Sequence, residues 1–243
     1  GIGHSEAQWF VRGVPNVKKA FAKVWGTNDL LTSFDGVSLW RPWNIDPSWK
    51  TQSGQAWFHI DQHPISKPGK QCIQGLINLL PTSKEIGGNV VIPKSHNFFK
   101  DLPEEYKERV ERLPLDIDHF RFPHDDPKLS SEPAVMAHME PGDMLLWDSR
   151  TIHCSSSGSS LPDGTNDLIR AASLICMMPK KLSSKEILDK RIHAAENLVS
   201  TTNWTNDFRN ADEFPIILEA ENRDQYKWPK KPNLSDYQKE LIA

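Results

Sequence analysis

WFHIDQ, residues 57–62, decides the fold, because a histidine and an aspartate two positions apart on an extended segment project to the same face. His59 and Asp61 can therefore reach one ion together. Outward from this stretch, the apolar run QCIQGLINLL (71–80) is too short for a helix of ordinary length and reads as the start of a β-rich middle. In EIGGNVVIPKSH (85–96), paired glycines precede a Val-Val-Ile strand that Pro93 closes into a turn, as one arm of a hairpin. Then PGDMLLWDSRTIHCSS (141–156) places a turn at Pro141-Gly142-Asp143, a strand over MLLWD, and His153 past that strand's end. A last strand, LIRAASLICMM (168–178), stops at Pro179. This order predicts a mainly β chain of the jelly-roll, cupin-like kind, with its core over about residues 35–180.

The flanks read differently. NVKKAFAKVWG (16–26) carries Val17, Ala20, Phe21, Val24 and Trp25 at helical spacing, with Asn16 as N-cap and Gly26 as terminator. Ser183 and Glu186 form a capping-box signature ahead of Leu188, Ile192, Ala195 and Val199, so a C-terminal helix opens an extension over 183–243. Trp204, Phe208 and Trp228 are its aromatic anchors. Residues 101–135 are polar and proline-containing, with a brief helical signal in PEEYKERVERL, and are expected to be surface loop or lid material.

At 243 residues the chain is expected to form one domain, 1–243, with nine tryptophans and ten phenylalanines to fill a core or line a pocket. Its 32 acidic and 29 basic side chains leave a formal charge of −3 without a long basic block, which argues against nucleic acid as a partner. No apolar stretch reaches the roughly 20 residues of a membrane-spanning helix. Three cysteines, Cys72, Cys154 and Cys176, lie in or beside apolar runs, so a disulfide framework is a poor reading and a reducing, cytoplasmic setting is expected. The expected partner is a small-molecule substrate.

Two histidines and one carboxylate on one face of an octahedron leave three positions open, the arrangement with which non-haem Fe(II) oxygenases hold a cosubstrate and O2. His153 is the leading third ligand. His63 could share a face with His59, but Pro64 follows at once; His96 reads as a turn residue; His119, His124 and His138 fall in or beside the insertion and stay unassigned. Trp40, Arg41 and Trp57 are candidate substrate contacts, Arg41 because a buried guanidinium needs an anionic partner. Cys154 is expected to point away from the metal as a small buried residue.

Together, WFHIDQ, CIQGLINLLPTSKEIGGNVVIPKSH, PGDMLLWDSRTIHCSS and LIRAASLICMMP resemble the phytanoyl-CoA dioxygenase family over about residues 57–180. The resemblance implies a double-stranded β-helix whose mouth holds iron, with His59, Asp61 and His153 as ligands. It also implies 2-oxoglutarate as cosubstrate near the distal histidine, with Arg170 on its remote carboxylate and Ser155 and Gln74 as further contacts. Arg170 is the only charged residue of LIRAASLICMM, and an unpaired guanidinium inside a barrel is strongly unfavourable, so it needs an anion. The expected reaction is oxidation of a substrate C–H bond by O2 with release of succinate and CO2: hydroxylation by default, with desaturation or oxidative cyclisation open. Retention of Asp61 argues against halogenation. A non-catalytic jelly-roll protein that keeps a metal, and a cupin enzyme without cosubstrate, are the competing readings.

Overall fold

The structure is a computed structural model that describes residues 1–50, 57–208 and 230–243. Strands dominate the middle of the chain, as the sequence predicts. In chain order they are β1 (Leu30–Thr32), β2 (Val37–Trp40), β3 (His59–Asp61), β4 (Ile73–Asn78), β5 (Gly87–Val91), β6 (His119–Arg121), β7 (Val135–Met136), β8 (Met144–Asp148), β9 (His153–Ser157), β10 (Arg170–Leu174) and β11 (Met177–Pro179). They pair as a five-stranded sheet ordered β6-β3-β9-β5-β7, a four-stranded sheet ordered β2-β10-β4-β8, and the pair β1-β11. From β3 through β4, β5, β8, β9 to β10 the chain alternates between the two larger sheets, while β6 and β7 form the edges of the five-stranded one. That alternation is the connectivity expected of a double-stranded β-helix.

Residues gather into two compact units, one of Gly1–Ser38, Gln74–Leu76 and Ser173–Ala243, the other of Leu39–Ile73 and Ile77–Ala172. The second unit contains the whole five-stranded sheet. Its core holds Phe58, Ile60, Val90, Ile92, Phe120, Phe122, Ile152 and Cys154, one face of β3, β5, β6 and β9 and their flanks, packed with Phe99, Leu102 and Val110. With side chains alternating at a period of two, the residues between these, among them His59, Asp61, Asn89, His119, His153 and Ser155, belong to the opposite face. Burying one Phe or Ile of such a core contributes roughly 1.5–3 kcal/mol, so the hydrophobic face fixes the register and thereby the polar face.

The first unit is helical around the β1-β11 pair, with α1 (Glu6–Arg12), α2 (Pro15–Trp25), α5 (Lys185–Asn197) and α6 (Asp236–Lys239); α3 (Leu102–Glu105) and α4 (Lys107–Glu111) belong to the second unit. Gly26 terminates α2 in the left-handed region as expected, but the N-cap is Val14 and not Asn16, because Pro15, with φ preset and no N–H to satisfy, takes the first helical position. The α5 cap is Ser184 and not Ser183, its Oγ accepting from Ile187 N–H; a complete capping box occurs instead at Ser235 and Gln238 of α6. Two buried arginines tie this unit together through backbone carbonyls. Arg191 donates to Ile242 O at 2.8 Å, Thr32 O at 2.7 Å and Leu241 O at 3.2 Å, and Arg12 donates to Gly3 O and to Asp35 O. Trp204 is buried and Phe208 packs against the Trp9–Phe34 cluster, whereas Trp228 lies outside the described residues. No helix among the described residues is long and apolar enough to cross a membrane. None of the three cysteines is in a disulfide and all are buried, with Cys154 in the core cluster beside Ile152.

Candidate metal centre

The centre forms where β3 is flanked on both sides. Antiparallel pairing sets His59 opposite His153 of β9 and Asp61 opposite His119 of β6. The Asp61 carboxylate then lies among three imidazoles: His153 Nε2 is 3.3 Å from Oδ2, His119 Nδ1 is 3.4 Å from Oδ1, and His59 Nε2 is 3.6 Å from Oδ1. The His59 ring centroid is 4.4 Å from that of His153 and 4.4 Å from that of His119. His59 and His153 are each 5% exposed, and the side chains of Asp61 and His119 are 24% and 45% exposed. The group opens to solvent on the Asp61–His119 side.

Two of the rings are held for a task. His59 Nδ1 faces the Trp57 carbonyl at 3.0 Å, and His153 Nδ1 faces the Thr151 carbonyl at 2.8 Å. A carbonyl only accepts, so in the neutral ring Nδ1 carries the proton and Nε2 turns its lone pair toward Asp61. Two nitrogen lone pairs and a carboxylate oxygen converging within 3.3–3.6 Å repel one another unless a cation lies between them. Burial pushes the Asp61 carboxyl up, but the imidazoles gathered around it outweigh that effect and hold the group well below the usual carboxylate range. Trp57 stacks on His59 with centroids 4.5 Å apart and an interplanar angle of 18°, and its Nε1 donates to Ser155 O at 2.8 Å. Asp61 N–H is taken by Ser149 O at 3.0 Å, and Ser149 Oγ donates to Gln62 Oε1 at 2.6 Å, so the chain on leaving β3 is tied down as well.

A second feature of the same unit is Arg170 at the start of β10. Its side chain is 1% exposed, its Cζ lies 4.4 Å from the Trp40 ring, and Nε and Nη1 are buried without a hydrogen-bond partner. Among the described residues it forms no ion pair, and burial lowers its pKa to about 10. Burying a guanidinium with Nε and Nη1 unpaired among the described residues is unfavourable. Ser155 follows His153 by two residues on β9 and shares its face, opposite Asn89 of β5. Asn89 is 4% exposed, and its Nδ2 is a buried donor without a partner.

The remaining candidates differ in their settings. Gln74 is buried on β4 and belongs to the first unit. Arg41 is exposed, its Cζ 4.1 Å over the Trp49 ring, so it is not the buried guanidinium that would demand an anion. Trp40 and Trp57 cover Arg170 and His59. His63 is fully buried away from the cluster: its Nδ1 accepts from Ile65 and Ser66 N–H at 3.1 and 3.0 Å, which closes the turn after β3. His119 was not singled out from the sequence, yet among the described residues His59, Asp61 and His119 form a group of potential ligands with atoms within 4.8 Å of one another. Its signal was present in the alternation His119-Phe120-Arg121-Phe122, which marks a strand with a polar and an apolar face inside the polar insertion.

Comparison with known proteins bears on this geometry. The chain is 32% identical over 210 residues to the Ava biosynthesis cluster protein O of Aspergillus versicolor, an alignment covering 83% of this chain and 64% of that protein. The chain thus spans less than two thirds of that relative's length. Among solved structures, EvdMO1 is 19% identical with a TM-score of 0.44, covering 70% of this chain and 32% of its own. The non-heme alpha ketoglutarate dependent epimerase SnoN from nogalamycin biosynthesis is 16% identical with a TM-score of 0.45, covering 69% and 56%. The family model described as Phytanoyl-CoA dioxygenase (PhyH) matches residues 16–161, more than half of the chain and a stretch that contains His59, Asp61, His119 and His153, so the chain belongs to the phytanoyl-CoA dioxygenase family.

Proposed function

We propose that the chain is a single Fe(II)- and 2-oxoglutarate-dependent oxygenase domain acting on a small molecule, with His59, Asp61 and His153 holding the metal. The observation that carries this reading is the convergence of two backbone-oriented Nε2 lone pairs on one buried-edge carboxylate, 3.3 and 3.6 Å away, in a chain of this family. The donor set fits the metal: two imidazoles and one carboxylate suit iron(II) and leave coordination positions for a cosubstrate and O2. Bound there, iron with 2-oxoglutarate and O2 would supply oxidation of a substrate C–H bond, with 2-oxoglutarate leaving as succinate and CO2.

The protein's own part is placement. The Arg170 fork, buried and unpartnered, fits the remote carboxylate of 2-oxoglutarate, and Trp40 over its face excludes water from that end. Ser155 and Asn89, adjacent on the His153 face, are donors for the same molecule. Trp57 fixes the His59 ring and walls the opening, and it remains with Trp40 a candidate wall of the substrate cavity. These groups hold the reactants and keep water out; none of them is asked to move a proton.

His119 favours one competing reading. Three imidazoles and a carboxylate could all ligate the metal, as in a cupin that needs no cosubstrate. The deciding experiment is anaerobic titration of the iron(II) protein with 2-oxoglutarate, followed by admission of O2 and quantitation of succinate. A visible charge-transfer band on titration and one succinate per 2-oxoglutarate consumed are expected. Absence of both would remove the cosubstrate from the reading.

A further inference from the structure

We infer that Arg121 is a specificity-determining residue at the opening of the metal centre, and that the small molecule taken there carries an anionic group, a carboxylate or a phosphate, for its guanidinium. The inference rests on the proposed metal site and names the class of substrate that site takes. Its basis is the pairing of β6 with β3, which sets His119 opposite Asp61, Phe120 opposite Ile60 and Arg121 opposite His59. Ile60, Phe120 and Phe122 are packed in the core, so His119 and Arg121 share the other face of β6, the face of His59 and Asp61. Directly opposed residues of an antiparallel pair have Cβ atoms about 4.5–5.5 Å apart, so the Arg121 side chain starts beside His59.

Arg121 combines a fixed base with a free tip. Its carbonyl accepts from Arg109 Nη2 at 2.7 Å, and the phenylalanines on either side of it anchor in the core. The side chain itself is exposed, and among the described residues its guanidinium forms no ion pair, hydrogen bond or ring contact. Other arginines of the same unit are engaged: Arg109 Cζ lies 5.4 Å from the Phe120 ring, and Arg150 donates to both oxygens of Asp148 at 2.8 and 2.7 Å. Nor does the neighbouring acid of the insertion take up Arg121, because Asp118 is paired with Lys67 at 2.8 Å. A guanidinium placed on the metal-facing side of an edge strand and left to solvent is suited to an anion that arrives from solution.

That anion belongs to the substrate and not to the cosubstrate. Arg170, 1% exposed, is the arginine proposed for the remote carboxylate of 2-oxoglutarate, whereas Arg121 stands on the exposed side of the centre with His119. A substrate whose acid group rests on Arg121 lays its hydrocarbon toward His59, where the Trp57 ring is stacked with centroids 4.5 Å apart. The spacing between the acid and the oxidised C–H bond then selects which carbon reaches the metal.

Three probes of similar shape test this: 4-phenylbutyrate, 3-phenylpropyl phosphate and the neutral 4-phenylbutanamide. Manganese(II)-loaded protein is kept anaerobic with 2-oxoglutarate bound, and paramagnetic broadening of each probe's phenyl proton signals gives its dissociation constant for a site beside the metal, without turnover. In the wild type at least one anionic probe is expected to bind about 5–10-fold more tightly than the amide. In Arg121→Gln that preference is lost while the amide binds as before, and Arg121→Lys keeps part of it. Whichever anion is preferred tells a carboxylate-bearing substrate from a phosphate-bearing one, and Arg121→Ser stands in if the glutamine variant does not fold. Equal affinities for all three probes in the wild type overturn the inference. So does a preference that survives in Arg121→Gln, which assigns the anion to the metal or to another basic residue. Uptake of manganese and of 2-oxoglutarate, measured before the probes are added, keeps these failures apart from that of the metal site: a wild type that binds neither has no such centre, and the inference falls with it.

Discussion

Arg170 illustrates at the scale of one residue how its proposed binding role and stability pull in opposite directions. Its guanidinium is buried, stacked on Trp40, and two of its nitrogens lack partners, so the ligand-free protein bears an uncompensated charge. Arg170→Met is therefore expected to raise the melting temperature of the ligand-free protein while abolishing the increase that 2-oxoglutarate gives the metal-loaded wild type. Thermal melts with and without cosubstrate check both signs, and a destabilised ligand-free Arg170→Met would show that the arginine has a structural partner. Arg170→Ala is expected to weaken 2-oxoglutarate about 30-fold or more, from the roughly 2–5 kcal/mol lost when one side of a buried charged pair is removed. Arg170→Lys, which offers a point charge in place of a fork, should lie between them in anaerobic titration. At the metal, His59→Ala, Asp61→Ala and His153→Ala are each expected to lose stoichiometric iron binding with circular dichroism near wild type, because all three face away from the packed core.

Among the elements, the insertion at 101–135 proves to be more than loop. It contributes β6 to an edge of the five-stranded sheet and packs Leu102, Val110 and Phe120 into its core. It is tied to the turn after β3 by the Lys67–Asp118 pair and by Ser66 Oγ donating to Leu115 O at 3.2 Å. Tyr106 Oη donates to Asp126 Oδ2 at 2.5 Å, closing it on itself. The segment around Phe120 should accordingly exchange amide hydrogens nearly as slowly as β3, whereas the exposed turn at Pro127–Ser130 should exchange fast. Fast exchange across 119–121 in the metal-free protein would restore the lid that the sequence suggested. Phe120→Ala should cost about 3–5 kcal/mol in denaturant unfolding.

For the molecule as a whole, pH acts through a histidine remote in sequence from the candidate site. His4 is buried against Trp9 and Phe34, with Nε2 2.8 Å from Val199 O, and burial lowers its pKa from 6.5 to about 4. Between those values the unfolded chain binds a proton that the folded chain does not, so stability falls as pH drops through 6.5 and the loss is complete below about 4. The shift corresponds to a loss on the order of 3 kcal/mol, and His4→Gln should flatten the pH dependence of the melting temperature across that window. An unchanged slope in that variant would place the acid sensitivity elsewhere. What the sequence determined by itself was local: the shared face of His59 and Asp61 follows from the twofold period of a strand, the end of α2 from Gly26, and the turn before β8 from Pro141-Gly142-Asp143. The family resemblance implies roles for His153 and Arg170 that no local pattern assigns. Only the tertiary structure decided which strands lie beside β3, and hence that His119 meets Asp61, that Arg170 forms no ion pair among the described residues, and that Arg41 is exposed over Trp49. The physical reason is that strand pairing joins residues far apart in the chain, and its register is chosen by the buried face, Phe58, Ile60, Phe120 and Ile152, while the polar face that does the chemistry is carried along with it.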